Sequence, residues 1–180
     1  LAALLRNCRG VCVAGMHGKT ATTALLAHVL SELDADTGYA VGGEVPQWER
    51  AARLPTGEGF FTVEADESDG TLREFHPEQA IILNVDEEHV DYFASLEAVC
   101  AEFETFADQA HGTVFYCADD PRLVKLFAGR PGAISYGTNP AARYRVEPLA
   151  MDGAGSCFEL WHDGDRIGGG QLALFGAQHI

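Results

Sequence analysis

The sequence predicts an α/β fold: a mostly parallel sheet with flanking helices and a P-loop-like phosphate loop, plus a small β-rich C-terminal element. Three observations carry that expectation. First, a short apolar run at residues 10–14 passes through a glycine loop at 15–18 into a segment with helical apolar spacing at 19–33. Strand, glycine loop and helix in that order are the context a phosphate-binding loop requires. Second, two more apolar runs, residues 59–65 (GFFTVEA) and 80–85 (AIILNV), each lead into a cluster of acids. Third, the pattern changes near residue 142, where short strand-like segments joined by glycine and aspartate turns take over.

The elements follow in order. Residues 10–14 (GVCVA) form a continuous apolar run beside glycine and read as a buried strand. Residues 19–33 place Ala24, Leu25, Ala27, His28, Val29 and Leu30 at helical spacing. Residues 37–45 read as a strand or extended segment with a glycine pair, and the polar stretch 48–58 as a loop. The strands at 59–65 and 80–85 are followed by an amphipathic helix at 95–109 and a strand at 113–117. Asp119 or Asp120 caps a short helix running through Phe127, with Pro121 in its first turn. A strand at 133–136 precedes three more at 144–149, 156–162 and 166–174, with turn signals at 153–155 and 163–164.

Composition narrows the function. The 180 residues suffice for one domain, or one domain with an appendage. The charge of −15 excludes a general nucleic-acid binder, which needs a basic surface to neutralise phosphates. An acidic chain that takes up a triphosphate needs local positive potential or Mg²⁺. Lys19 and Lys125 are the only lysines, which draws attention to Lys19 inside the glycine loop. Cys8, Cys12, Cys100, Cys117 and Cys157 form no CxxC pair and are odd in number, so a disulfide framework or zinc site is not expected and a reducing cytoplasm is. Cys12, Cys100 and Cys117 sit in apolar stretches and read as core residues. No apolar run approaches the roughly 18 residues of a membrane span, and no signal peptide is visible. The chain starts at Leu1 without methionine, so residues 1–180 read as one domain of a longer protein, with its β-rich portion at about 142–175.

The chemistry concentrates in three places. In Gly15-Met16-His17-Gly18-Lys19-Thr20, backbone N–H groups of the loop and helix face a phosphate chain. Lys19 meets the β- and γ-phosphates, and the Thr20 hydroxyl ligates Mg²⁺. The position five before Gly18 holds Val13 rather than the glycine of a strict Walker A loop. Glu64, Asp66, Glu67 and Asp69 follow one strand, and Asp86, Glu87, Glu88, His89 and Asp91 another. Ligands of open α/β sheets bind outside the carboxyl ends of strands, so the three segments are expected at one edge. Glu64 and His89 form a carboxylate–histidine pair suited to Mg²⁺ or Mn²⁺, whereas most of the remaining acids read as solvated loop charges. His28, His76, His111 and His162 read as surface or packing residues, and Trp48 and Trp161 as partial core.

These residues resemble a family. Residues 14–23 (AGMHGKTATT) resemble the phosphate-loop signature of the Mur ligases, residues 63–70 (VEADESDG) an acidic stretch of their alanine-adding branch, and residues 84–91 (NVDEEHVD) their histidine motif. Ala118-Asp119-Asp120 and Ser135-Tyr136-Gly137 fall where that branch has similar short runs. The resemblance implies an ATP-dependent ligase of peptidoglycan biosynthesis. A carboxylate attacks the γ-phosphorus, becomes an acyl phosphate, and is then captured by an amine. It implies catalytic roles for Lys19, Glu64 and His89, and Mg²⁺ held by Thr20, Glu64 and His89. It implies ATP contacts from Gly15, Met16, His17, Gly18, Lys19, Thr20, Ala21 and Asn84. Residues 176–180 resemble the adenine-contacting motif, with Gln178 and His179 in place of its histidine and asparagine. Met16 and Ala21 likewise replace hydroxyl-bearing threonines. No lysine lies between Lys19 and Lys125, as befits a branch that lacks the carbamoylated lysine of its sisters.

The implied partners are UDP-N-acetylmuramate and L-alanine, bound mainly by flanking domains. The 180 residues alone are expected to bind nucleotide weakly and to make no product. The alternatives are the related ligase that recycles a tripeptide onto UDP-N-acetylmuramate, a degenerate nucleotide-binding module without catalysis, and an ordinary P-loop ATPase or kinase.

Overall fold

The structure is a computed structural model; it describes residues 1–33, 35–45, 48–67, 70–86, 95–152 and 155–173. The chain divides into two compact units, residues 1–115 and 116–180.

The first unit opens with a short helix, α1 (Ala2–Leu5), and then β1 (Arg9–Ala14), whose residues from Gly10 onward are buried. Its run of Val11, Cys12, Val13 and Ala14 has no polar side to turn to water, which suits the centre of a sheet. Helix α2 (Lys19–Glu32) follows, then β2 (Thr37–Ala40), β3 (Ala52–Arg53), β4 (Phe60–Glu64) and β5 (Gln79–Ile82). Helix α3 (Leu96–Gln109) leads into β6 (Val114–Cys117), within which the boundary between the units falls. The strand order here is β5-β1-β4-β2-β3. β1 runs parallel to both β4 and β5, β2 runs parallel to β4, and β3 pairs antiparallel with β2. The mostly parallel sheet is as the sequence predicts.

Some details differ from the sequence reading, among them the short helix α1, which no sequence signal marked. The polar stretch 48–58 contains the two-residue strand β3, paired with Tyr39 and Ala40. Its residues are exposed, so no apolar pattern announced it. The extended segment at 37–45 ends as a strand at Ala40. Trp48 then stacks on Tyr39 with ring centroids 4.1 Å apart, the partial core role expected of it.

α3 begins at its cap. The Ser95 hydroxyl accepts from the Ala98 N–H at 3.3 Å, satisfying one of the orphan donors of the first turn. Its buried face carries Val99, Phe103, Phe106 and Ala107; each large side chain buried there contributes about 1.5–3 kcal/mol. Glu102 on that face is satisfied by Arg73, whose Nε lies 2.8 Å from Oε1 and 2.9 Å from Oε2. Cys12 is fully buried, and burial pushes its thiol pKa up. Cys100 and Cys117, expected in the core, are only half-buried, because each lies on an element with one face open.

In the second unit, α4 (Pro121–Phe127) is capped by Asp120, which accepts from the N–H groups of Arg122 and Leu123. Asp119 instead accepts from the Thr138 and Asn139 N–H groups at 2.8 and 2.7 Å, fixing the turn after β7 (Ala133–Gly137). β8 (Tyr144–Asp152) runs parallel to β7, and β9 (Gly155–His162) and β10 (Asp165–Leu172) complete an antiparallel meander. Tyr144 stacks on His162 at 4.4 Å and Arg145 lies over Trp161 at 4.6 Å. This is the β-rich element expected from residue 142.

Candidate active site

Because β1, β4 and β5 are parallel, their carboxyl ends share one edge of the first unit's sheet. The register places Val13 opposite Glu64 and Ala14 opposite Ile82. The glycine loop, the first acidic cluster and Asn84 therefore meet, as the strand-end argument anticipated.

The loop needs its glycines. Gly15 has φ of +138°, and a Cβ there would lie 3.0 Å from the Leu83 Cβ and 3.1 Å from the Asn84 nitrogen. Gly18 has φ of +84° and caps α2 in the left-handed conformation, which only glycine adopts at no steric cost. Asn84 braces the loop from the next strand. Its Oδ1 accepts from the His17 N–H at 2.8 Å, and its Nδ2 donates to the His17 carbonyl at 3.0 Å. The Met16 N–H reaches the Asn84 carbonyl at 3.4 Å. The Met16 side chain is buried, while the His17 side chain is exposed. The His17 backbone is thus tied to Asn84, and the Met16 side chain packs inward. Ala21 is exposed in the first turn of α2.

Lys19 lies along the loop rather than in solvent. Its Nζ donates to the Gly15 carbonyl at 2.7 Å and sits 2.9 and 3.1 Å from the two Glu67 oxygens. Asp66 is at 3.9 Å. The Glu67 side chain is 0% exposed. The reading of these acids as solvated charges fails at Glu67, whose carboxylate is buried against the Lys19 ammonium. The signal that could have found it was Lys19 itself, the loop's one cation, which needs a counter-charge.

Thr20 and Glu64 form the second focus. The Thr20 hydroxyl lies 3.1 Å from Glu64 Oε2, and the Gly42 N–H donates to Oε1 at 2.7 Å. Two oxygen donors converge beside the N-terminus of α2, and hard oxygen ligands of this kind fit Mg²⁺. Among the described residues, no group of three or more metal-binding side chains occurs. His89, Gln178 and His179 lie outside the described residues, as do Asp69, Glu87, Glu88 and Asp91. Among the described residues, no helix is long and apolar enough to cross a membrane.

Fold and site together define an α/β domain whose charged groups gather at the carboxyl edge of a parallel sheet. Residues 13–180 match the model of the Mur ligase middle domain, and the chain belongs to that family. Over 181 aligned residues it is 38% identical to the UDP-N-acetylmuramate–L-alanine ligase of Thermosynechococcus vestitus, covering 100% of this chain and 38% of that protein. It is similar to the solved UDP-N-acetylmuramate–alanine ligase of Thermotoga maritima, with a TM-score of 0.79 and 27% identity over 93% of this chain and 37% of that one. The fold is shared with the UDP-N-acetylmuramate:L-alanyl-γ-D-glutamyl-meso-diaminopimelate ligase of Neisseria meningitidis, at a TM-score of 0.82 and 23% identity, covering 97% and 59%. The chain therefore spans 38% of the length of the curated relative.

Proposed function

We propose that this chain is the ATP-binding middle domain of a cytoplasmic ligase that joins the carboxylate of UDP-N-acetylmuramate to L-alanine in peptidoglycan synthesis. The observation that carries the reading is the convergence of Lys19, Thr20 and Glu64 on one sheet edge, in a chain matched end to end by a ligase of that name. Backbone N–H groups at Gly18–Ala21 and the positive end of α2 face the phosphates. Asn84 acts as the brace of the loop more than as a contact to ATP. Thr20 and Glu64 would hold Mg²⁺, and the sequence motifs alone assign His89 to the same ion and Gln178 and His179 to the adenine. Bound there, Mg²⁺ supplies charge neutralisation for the triphosphate.

The chemistry then follows in two displacements. The substrate carboxylate forms a bond to the γ-phosphorus as the bond to ADP breaks. The alanine ammonium gives one proton to solvent, its nitrogen bonds to the carbonyl carbon as the bond to phosphate breaks, and the second proton leaves with the phosphate. Lys19 offsets the charge carried by the migrating phosphoryl group, so its part is electrostatic placement. The UDP-sugar and the amino acid are held mainly outside these 180 residues.

The test is product formation by the full-length protein, given Mg·ATP, UDP-N-acetylmuramate and either L-alanine or a tripeptide. Amide formation with L-alanine, coupled one-to-one to phosphate release, is expected. Preferential use of the tripeptide points instead to the recycling ligase, and ATP hydrolysis indifferent to both acceptors to an ordinary ATPase.

A further inference from the structure

The most buried charge at the site belongs to a residue that the reaction itself does not call for. The Glu67 side chain is 0% exposed and Lys19 is 15% exposed. Both Glu67 oxygens lie within hydrogen-bonding distance of the Lys19 ammonium, which also donates to the Gly15 carbonyl. A carboxylate removed from water is tolerable when a cation pairs with it at good geometry. An unanchored lysine is otherwise a point charge on a flexible four-carbon stem. Here its head is fixed between the end of β1, through Gly15, and the segment after β4, through Glu67.

We propose that Glu67 is a positioning residue for Lys19. It holds the ammonium in the loop before any phosphate arrives, so that the charge is in place when the γ-phosphoryl group moves. This inference rests on the function proposed above. Placement has a cost in affinity, because a second anion stands beside the phosphates and opposes their entry. Removing the Glu67 charge is therefore expected to slow turnover without weakening nucleotide binding.

The experiment uses the full-length protein with Mg·ATP, comparing wild type with Glu67→Gln and Glu67→Asp. Binding is measured by calorimetry and turnover by steady-state kinetics, with thermal melts to verify folding. For Glu67→Gln, Mg·ATP affinity equal to or tighter than wild type is expected, with kcat lowered by about tenfold or more, the scale of one charge-assisted contact. Glu67→Asp keeps the charge one methylene short and is expected to give an intermediate kcat at unchanged KM. A kcat for Glu67→Gln within about twofold of wild type, or weaker Mg·ATP binding, overturns the proposal. If Glu67→Gln does not fold, a Glu67→Asp kcat equal to wild type overturns it. A wild type that forms no product refutes the functional reading instead, and calorimetry on the same variants still decides whether Glu67 opposes nucleotide entry.

Discussion

At the scale of single residues, the Lys19–Glu67 pair changes how a routine mutation should be read. Truncating Lys19 removes an ammonium that is 15% exposed and takes the cation away from the buried Glu67 carboxylate. Breaking one side of a buried pair costs about 3–5 kcal/mol, so Lys19→Ala is expected to lower unfolding stability by that order in urea titrations. Lys19→Met combined with Glu67→Gln removes both charges together and is expected to recover most of the loss. A single mutant as stable as wild type would mean that the pair is not buried as described. Asn84 offers a cleaner probe of the loop. Asn84→Ala removes both bonds to the His17 backbone, about 1 kcal/mol each. Weaker Mg·ATP binding is the expected outcome, with far-ultraviolet dichroism unchanged.

Among elements, the α4 cap and the turns at Asp36 and Asp119 are held by carboxylates. Asp120→Ala is expected to destabilise α4 by about 1 kcal/mol, read as a shift in denaturation midpoint at constant slope. Asp36 accepts from the Thr56 and Gly57 N–H groups at 2.9 and 2.8 Å, and these bonds, Thr56 foremost, hold its carboxyl below the usual aspartate range. Arg9 does the same for Glu78, through bonds at 3.0 and 3.3 Å. Each contributes stability that is complete above the unfolded carboxylate value and is lost as pH falls through the lower folded value. Melting temperature is therefore expected to drop on acidification, and Asp36→Asn to flatten that dependence. An unchanged acid profile in the variant would contradict the assignment.

The whole molecule is strongly acidic, and its net charge of −15 sets one further expectation. Self-repulsion opposes the compact state and is screened by salt. Melting temperature is expected to rise from low to near-physiological ionic strength in the absence of nucleotide; a fall would mean that specific ion pairs outweigh repulsion. The bridges Arg9–Glu78 and Arg143–Asp163 are too exposed to reverse that trend. Length matters at this scale as well. The curated relative is more than twice as long as this chain, so turnover is to be measured on the full-length protein.

The sequence by itself determined the order of most elements, because unbroken apolar runs, cap residues and glycine loops are local signals. β1, β4 and β5 are wholly or partly buried strands, and their period and length showed it. It also anticipated that Lys19, Thr20 and Glu64 meet at one sheet edge, since parallel strands bring their carboxyl ends together. Only the tertiary structure decided which acid is buried. Glu67 and Asp66 are neighbours of identical charge, yet Glu67 is buried against Lys19 while Asp66 is exposed, a distinction made by how the chain turns after β4. The exposed strand β3 was equally invisible, because its pairing with β2 depends on a backbone partner rather than on its own side chains. Asn84's hold on the loop belongs to the same class, a contact across 67 residues that no local pattern encodes.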